Sequence, residues 1–321
     1  MFTVRAPQYG GPEVMTYEEL PTPEPGKGQV LVKVHAAGVN FVDIYHRSGQ
    51  YTTPIPVPIG LEGAGVIEAV GEGADAKVGD RVAWCAQPNS YSTHVVTTPD
   101  KLVPVPEGCE LKLAAAIMLQ GMTAHALAHG VHALGPKDTC LIHAAAGGVG
   151  QLLVQFASQA GARVIATVST EEKAKKVRAL GASEVILYSQ ADFEAEARKL
   201  TGGAGVDVAY DSVGKDTFLK SLGCTRRRGL VVLYGQASGA VPPFEVQTLA
   251  AKGSLFLTRM KLADYIATRA ELLERSGAVF SAVASGKLKI EIGGEFALKD
   301  AAEAHRKLGG RETTGKLVLL T

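Results

Sequence analysis

Between residues 139 and 258, short Val/Ile-rich runs alternate strictly with amphipathic segments, and this alternation constrains the chain more than any other feature. The runs are TCLIHA, RVIATV, SEVILY, VDVAYD and GLVVLYG, with a sixth, GSLFLT, after them. Helices are predicted to begin near Gly150, Glu171, Asp192 and Lys215. A strand covered on both faces reads as a nearly continuous apolar run, and parallel neighbours need a crossover, usually helical. The pattern therefore predicts an α/β fold with a doubly wound parallel sheet.

The first third has a different texture. GQVLVKVHAAGVN and GAGVIEAVGEGADAKVGDRVAWC carry short valine-rich runs cut by glycines, as in a β-rich barrel or sandwich, with proline-marked loops at PTPEPGKG and PIPVPIG. After Asp264 the order reads helix, β segment, helix, and then GKLVLLT, a strand expected to rejoin the N-terminal sheet. The expected division is a β-rich domain over residues 1–124, a nucleotide-binding domain over 125–261 and a C-terminal return over 262–321.

Composition excludes several classes. A net charge of +1 gives no electrostatic footprint for nucleic acid or an anionic membrane. The opening MFTVRAPQYGGPEV lacks the apolar segment of a secretion signal. The longest apolar stretches, such as LAAAIML from Leu113, are too short to span a bilayer. Four cysteines with no CxxC pair suggest reduced thiols, and a cytoplasmic location is expected. His125, His129 and His132 share a helical spacing that can mimic a metal site. With no carboxylate or cysteine beside them, they are read as surface or hydrogen-bonded histidines. Arg226, Arg227 and Arg228 are expected to end a helix, where cations complement its dipole.

In TCLIHAAAGGVGQLLVQFA a buried strand meets a glycine turn and then a helix. Ala145, Gly147 and Gly150 stand at the three positions of G-x-G-x-x-G. Gly147 lets backbone approach a pyrophosphate, Gly150 lets the helix pack close to the strand, and the helix start offers free N–H groups. Alanine at the first position is tolerable if its φ stays negative. An NAD site places an acid about 20 residues after the loop to bind the ribose 2′-OH. Ser169 stands there instead, with Lys173 one turn later and Tyr188 at the end of the next strand. A neutral hydroxyl removes repulsion of a 2′-phosphate and a lysine adds attraction, so NADPH is the expected cofactor. Lys173 also reads as a solvated member of EEKAKK.

The ordered set GVNFVDIYHRSGQY, GLEGAGVIEAVGEG, VGDRVA, AAAGGVG and DSVG resembles the medium-chain dehydrogenase/reductase superfamily, and within it the zinc-free NADPH:quinone oxidoreductases of the zeta-crystallin branch. The resemblance covers essentially the whole chain. It implies a GroES-like catalytic domain, an inserted Rossmann domain and a homodimer joined through Rossmann edge strands. It also implies a substrate cleft lined by Asn40, Asp43, Tyr45, Tyr51 and Thr123. On the cofactor side it implies Gly148 and Val149 with Gly147 at the glycine turn, Ser212, Val213, Tyr234 and Gln236 flanking the nicotinamide ribose, Phe256, Thr258 and Arg259 closing the cleft, and Lys316 reaching the cofactor. Tyr45 and Tyr51 equally fit a role as core aromatics.

Departures from the zinc alcohol dehydrogenases are informative. Their G-H-E motif appears as Gly60-Leu61-Glu62, their catalytic cysteine position is Asn40, and the four-cysteine lobe is missing. A catalytic zinc needs about three His, Cys or acidic ligands. Two are gone, so no metal is expected and Glu62 reads as part of a polar network. No tyrosine has lysine four residues on, which removes a short-chain dehydrogenase. The expected activity is NADPH-dependent quinone reduction. One alternative is an NADPH-dependent enal or enone reductase with Tyr51 as proton donor. The other is a non-catalytic NADPH- or RNA-binding, crystallin-like protein, against which the near-neutral charge argues.

Overall fold

The computed structural model describes residues 1–310 and 313–321. They form two compact units: residues 1–122 with 266–321, and residues 123–265.

In the second unit the alternation becomes a six-stranded parallel sheet. Its strands are β1 (Thr139–Ile142), β2 (Arg163–Val168), β3 (Glu184–Leu187), β4 (Val206–Asp211), β5 (Thr225–Leu233) and β6 (Phe256–Arg259), in the order 3-2-1-4-5-6. The order reverses between β1 and β4, which opens a crevice at the carboxyl ends of those strands. Helices α1 (Gly148–Gln159), α2 (Glu171–Ala179), α3 (Phe193–Leu200) and α4 (Phe218–Cys224) connect the first five strands. Leu141, Ile165, Ala209 and Val231 from four strands pack with Phe193, Phe218 and Leu222 from α3 and α4. Asp192 caps α3 by accepting from the Glu194 N–H at 2.9 Å. The helix expected near Lys215 begins three residues later, after a turn at Gly214–Thr217.

The arginine triplet is a correction. Helix α4 stops at Cys224, and Arg226, Arg227 and Arg228 lie inside β5. The pairing with β4 is irregular there, and Arg228 takes a left-handed φ of 54°. The partner that decides the matter is Asp207 on β4, 2.5 Å from Arg226 Nε. A cation paired across strands does not need a helix terminus.

In the first unit the long strand Val30–Val39 is central, with Lys33 and His35 turned outward among buried neighbours. It pairs with Gly63–Val70, His94–Thr97 and, as expected from GKLVLLT, with Lys316–Leu320 near the end of the chain. Ile292–Ala297 adds on the far side of Lys316–Leu320. The helices Arg269–Ala284 and Ala301–Gly309 flank the β segment, in the order read from the sequence. The fold class is that of the reading: a GroES-like β-rich part and a parallel α/β part.

One expectation about membranes needs amending. The helix from Leu111 continues through a π-helical stretch to Val131, 21 residues with a mean hydropathy of 1.3, long and apolar enough to cross a bilayer. Its apolar window is 72% buried within the protein, so its apolar surface is used in the core.

Candidate functional site

Every strand of the parallel sheet ends on the same side, so the turns that follow them gather there. After β1 the chain turns through Ala144, which takes the left-handed conformation at φ 48°. Ala145 does not, as its place in the motif requires, and its N–H reaches the Thr167 carbonyl at 3.2 Å. A Cβ on Gly150 would lie 2.4 Å from the Ala144 oxygen and 2.7 Å from the Ala145 Cα, so only glycine lets α1 press against the turn. Gly147, the N-cap of α1, is exposed and brings no capping side chain, which leaves the first-turn N–H groups to be satisfied from outside the helix. A bare, dipole-positive backbone of this kind fits a pyrophosphate.

Ser169 follows β2 and Tyr188 follows β3, and these two ends are tied together. Ser189 Oγ donates to the Ser169 carbonyl at 2.8 Å, and the Tyr188 N–H to the Val168 carbonyl at 3.2 Å. Tyr188 is 45% exposed. Lys173 sits in the first turn of α2, its N–H donating to Thr170 Oγ. Glu171 and Glu172 share that turn, but Glu171 is engaged by Arg178 at 2.7 Å. Ser169 and Tyr188, expected at an adenosine 2′-phosphate, thus follow two adjacent strands, and Lys173 lies in the helix after the first of them.

The turns after β4 and β5 are laced to each other. The Ala237 N–H donates to the Ser212 carbonyl at 3.1 Å, and the Ser238 N–H and hydroxyl both donate to the Val213 carbonyl. A Cβ on Gly235 would meet the Ser212 oxygen at 2.5 Å. Ser212, Val213, Tyr234 and Gln236 therefore occupy one paired set of turns. Thr258 and Arg259 end β6 beside them, Arg259 donating to the Met260 carbonyl at 3.1 Å. Phe256 begins that strand and is 63% exposed.

In the other unit a buried polar cluster surrounds Asn40. Asn40 caps the helix Phe41–Arg47, and Asp43 in its first turn accepts the Asn40 N–H at 2.8 Å. The Asn40 amide donates to Glu62 Oε1 at 2.7 Å, while its oxygen accepts from Lys316 Nζ at 2.8 Å and Gln120 Nε2 at 3.2 Å. Lys316 also pairs with Glu62 and donates to the Val39 carbonyl at 3.1 Å. Glu62 Oε2 accepts the Leu119 N–H at 2.6 Å.

Lys316 was expected to reach the cofactor; the structure places it here, 2% exposed, with its ammonium spent on Glu62, Asn40 and backbone. A buried carboxylate demands a counter-charge, and this lysine supplies it.

Behind this cluster a second chain of bonds runs inward. The Tyr91 hydroxyl donates to Asp43 Oδ2 at 3.1 Å and meets His305 Nε2 at 3.1 Å, and Arg47 meets His305 Nδ1 at 3.0 Å. Burial pushes the Asp43 carboxyl up to about 7, although the Asn40 N–H and Lys316 pull the other way. Burial, reinforced by Arg47, pushes His305 down to about 3. Tyr91, His305 and Arg47 are absent from the sequence reading.

Tyr45 is buried and stacks edge-on against Tyr51 with ring centres 5.3 Å apart. Thr123, also buried, lies where the long helix passes from the first unit to the second. The His125 and His129 rings lie tilted to each other with centres 4.6 Å apart, and both meet Phe156 edge-on. Among the described residues no group of three His, Cys, Asp or Glu side chains is placed to hold a metal ion.

Comparison with known proteins fits this arrangement. Residues 26–107 match the alcohol dehydrogenase GroES-like domain family and residues 148–274 the zinc-binding dehydrogenase family. The chain is 46% identical over 320 residues to a 2-haloacrylate reductase of Burkholderia sp, covering 97% of this chain and 96% of that protein. It is 45% identical over 315 residues to a quinone oxidoreductase of Pseudomonas aeruginosa, covering 97% of each. The crystal structure of Escherichia coli quinone oxidoreductase complexed with NADPH superposes with a TM-score of 0.97 at 39% identity, over 100% of both chains.

Proposed function

The chain belongs to the quinone oxidoreductase branch of the medium-chain dehydrogenase/reductase superfamily, and from that premise we propose that it reduces quinones with NADPH. The observation that carries the reading is the Asn40–Glu62–Lys316 cluster. At the positions where zinc-dependent relatives need ligands, this chain has an amide, a leucine at Leu61 and a carboxylate already neutralised by a lysine. Removing hydride from an alcohol requires a metal or base to take the hydroxyl proton. A quinone is an electron acceptor by its own chemistry and needs chiefly binding and orientation.

NADPH, when bound, supplies a hydride, and with a proton from solvent this converts a quinone to a hydroquinone. The protein's own groups do the holding. The Gly147–Gly150 turn takes the pyrophosphate, Ser169, Lys173 and Tyr188 the 2′-phosphate, and the Ser212–Val213 and Tyr234–Gln236 turns the nicotinamide end. In the first unit Tyr45 and Tyr51 take the acceptor, and the buried Asn40 and Asp43 start the helix that carries Tyr45. We also assign a homodimer formed along the exposed edge strand β6, and a cytoplasmic location, which four unpaired cysteines suit.

The 46% identity to a 2-haloacrylate reductase favours a second reading, reduction of an activated carbon–carbon double bond with Tyr51 as proton donor. Comparing kcat/KM for NADPH oxidation with 1,4-benzoquinone, a 2-alkenal and 2-chloroacrylate separates the two. The quinone is expected to lead. If an alkene leads by orders of magnitude and Tyr51→Phe abolishes turnover, the second reading replaces the first.

A further inference from the structure

His143 follows β1 directly, one residue before the strained Ala144, and it is 1% exposed. Its Nδ1 lies 2.9 Å from Thr167 Oγ on β2, and its Nε2 lies 3.1 Å from Ser221 Oγ on α4. Ser221 in turn donates to Asp211 Oδ2 at 2.8 Å. Asp211, at the end of β4 and fully buried, accepts the Val213 N–H at 2.8 Å and the Gly214 N–H at 3.0 Å on Oδ1, and the Thr217 hydroxyl as well.

Proton counting orients this chain. Both Asp211 oxygens serve as acceptors, so the single Ser221 hydrogen goes to Oδ2, closer than its other acceptor, the Thr217 carbonyl at 3.0 Å. Ser221 Oγ must then receive a hydrogen from His143 Nε2, and His143 Nδ1, left with a lone pair, receives the Thr167 hydroxyl hydrogen. Burial holds the imidazole below its ordinary range, against a smaller opposite pull from Asp211, which agrees with a neutral ring.

We propose that His143, as the neutral Nε2–H tautomer, is a positioning residue that locks the glycine turn to the Ser212–Gly214 turn across the crevice between β1 and β4. One end of the chain of bonds is Thr167, whose carbonyl holds the Ala145 N–H of the glycine turn. The other end is Asp211, whose carboxylate folds the Ser212–Gly214 turn onto itself. The network thereby sets the spacing between the pyrophosphate cradle and the nicotinamide-ribose turn, an assignment that rests on the NADPH reading above.

Asp211→Asn reverses the logic. The new amide donates to Ser221, Ser221 donates to His143 Nε2, and the ring becomes the Nδ1–H tautomer, which donates to Thr167. Nitrogen-15 NMR of the histidine-labelled protein, with the His143 signals assigned by their loss in His143→Gln, reads this directly. The unmutated protein is expected to show a protonated Nε2 and bare Nδ1 at neutral pH, and Asp211→Asn the reverse. Calorimetric titration with NADPH is expected to show a Kd about tenfold weaker in Ser221→Ala, which cuts the chain by removing only a hydroxyl, with kcat at saturating NADPH little changed. In Asp211→Asn, where the reversed chain is still complete, the Kd is expected to move less than in Ser221→Ala. An Nδ1–H or doubly protonated His143 in the unmutated protein overturns the proposal. Unaltered NADPH affinity in folded Ser221→Ala overturns it too. Failure of the unmutated protein to bind NADPH would instead refute the cofactor reading, before any variant is made.

Discussion

Each unit buries an aspartate completely, and each aspartate is linked through a hydroxyl to a neutral histidine, yet the two are supplied very differently. Asp211 sits at a strand end, where the following turn aims the Val213 and Gly214 N–H groups at it and Thr217 and Ser221 add hydroxyls. Asp43 sits within the first turn of a helix and receives only the Asn40 N–H and the Tyr91 hydroxyl, both on Oδ2, while its buried Oδ1 has no hydrogen-bond partner among the described residues. Burial accordingly pushes the Asp43 carboxyl up to about 7. Each donor aimed at a buried carboxylate offsets part of its desolvation. Beside Asp43, Glu62 meets the same demand by a third route, a paired lysine.

Removing that lysine should have the largest effect. Lys316→Met leaves Glu62 buried without its counter-charge, and breaking a buried pair from one side costs about 3–5 kcal/mol. Urea denaturation should show this loss, and Glu62→Gln in the Lys316→Met background should restore part of it. A loss under about 1 kcal/mol would mean that Glu62 does not depend on the pair.

Stability against pH sharpens the contrast between the aspartates. Asp43 is raised from 3.8 to about 7, so over that window the native state binds more protons than the unfolded one and stability falls as pH rises. His305 is lowered from 6.5 to about 3, so between those values the unfolded chain binds more protons and stability rises with pH. The two slopes oppose each other from pH 4 to 6.5 and leave the Asp43 term exposed above it. Asp43→Asn should remove the decline above pH 6.5, because an amide does not titrate. Thermal unfolding of both proteins from pH 4 to 8 checks this. Parallel profiles would show that Asp43 does not carry the pH dependence.

These cases also show what was legible in advance. The alternation of Val/Ile runs with amphipathic segments specified the parallel sheet, and KLVLLT specified the returning strand, because both are local patterns with a fixed period. The glycine turn was legible because Gly150 answers a steric demand within six residues of chain. The partners of Glu62 and Asp43 were not, since Lys316 lies 254 residues from Glu62 and His305 lies 214 from Tyr91, and no periodicity records such a meeting. A glutamate in the apolar setting of GLEGAGVI was the one visible signal that a counter-charge had to exist. The arginine triplet was misplaced for the same reason: Asp207, on the neighbouring strand, outweighs a local dipole.

The central claim is that the strand-end turns hold NADPH for delivery to a quinone. The most direct measurement is the rate of cofactor oxidation with a fixed concentration of 1,4-benzoquinone, using NADPH and NADH in turn, for the unmutated protein and Lys173→Ala. Kcat/KM should be at least about tenfold higher with NADPH, and Lys173→Ala should lower the NADPH value about tenfold or more while sparing NADH, in keeping with a charge-assisted contact. Equal rates with the two cofactors, or no oxidation of either by the quinone, would contradict it.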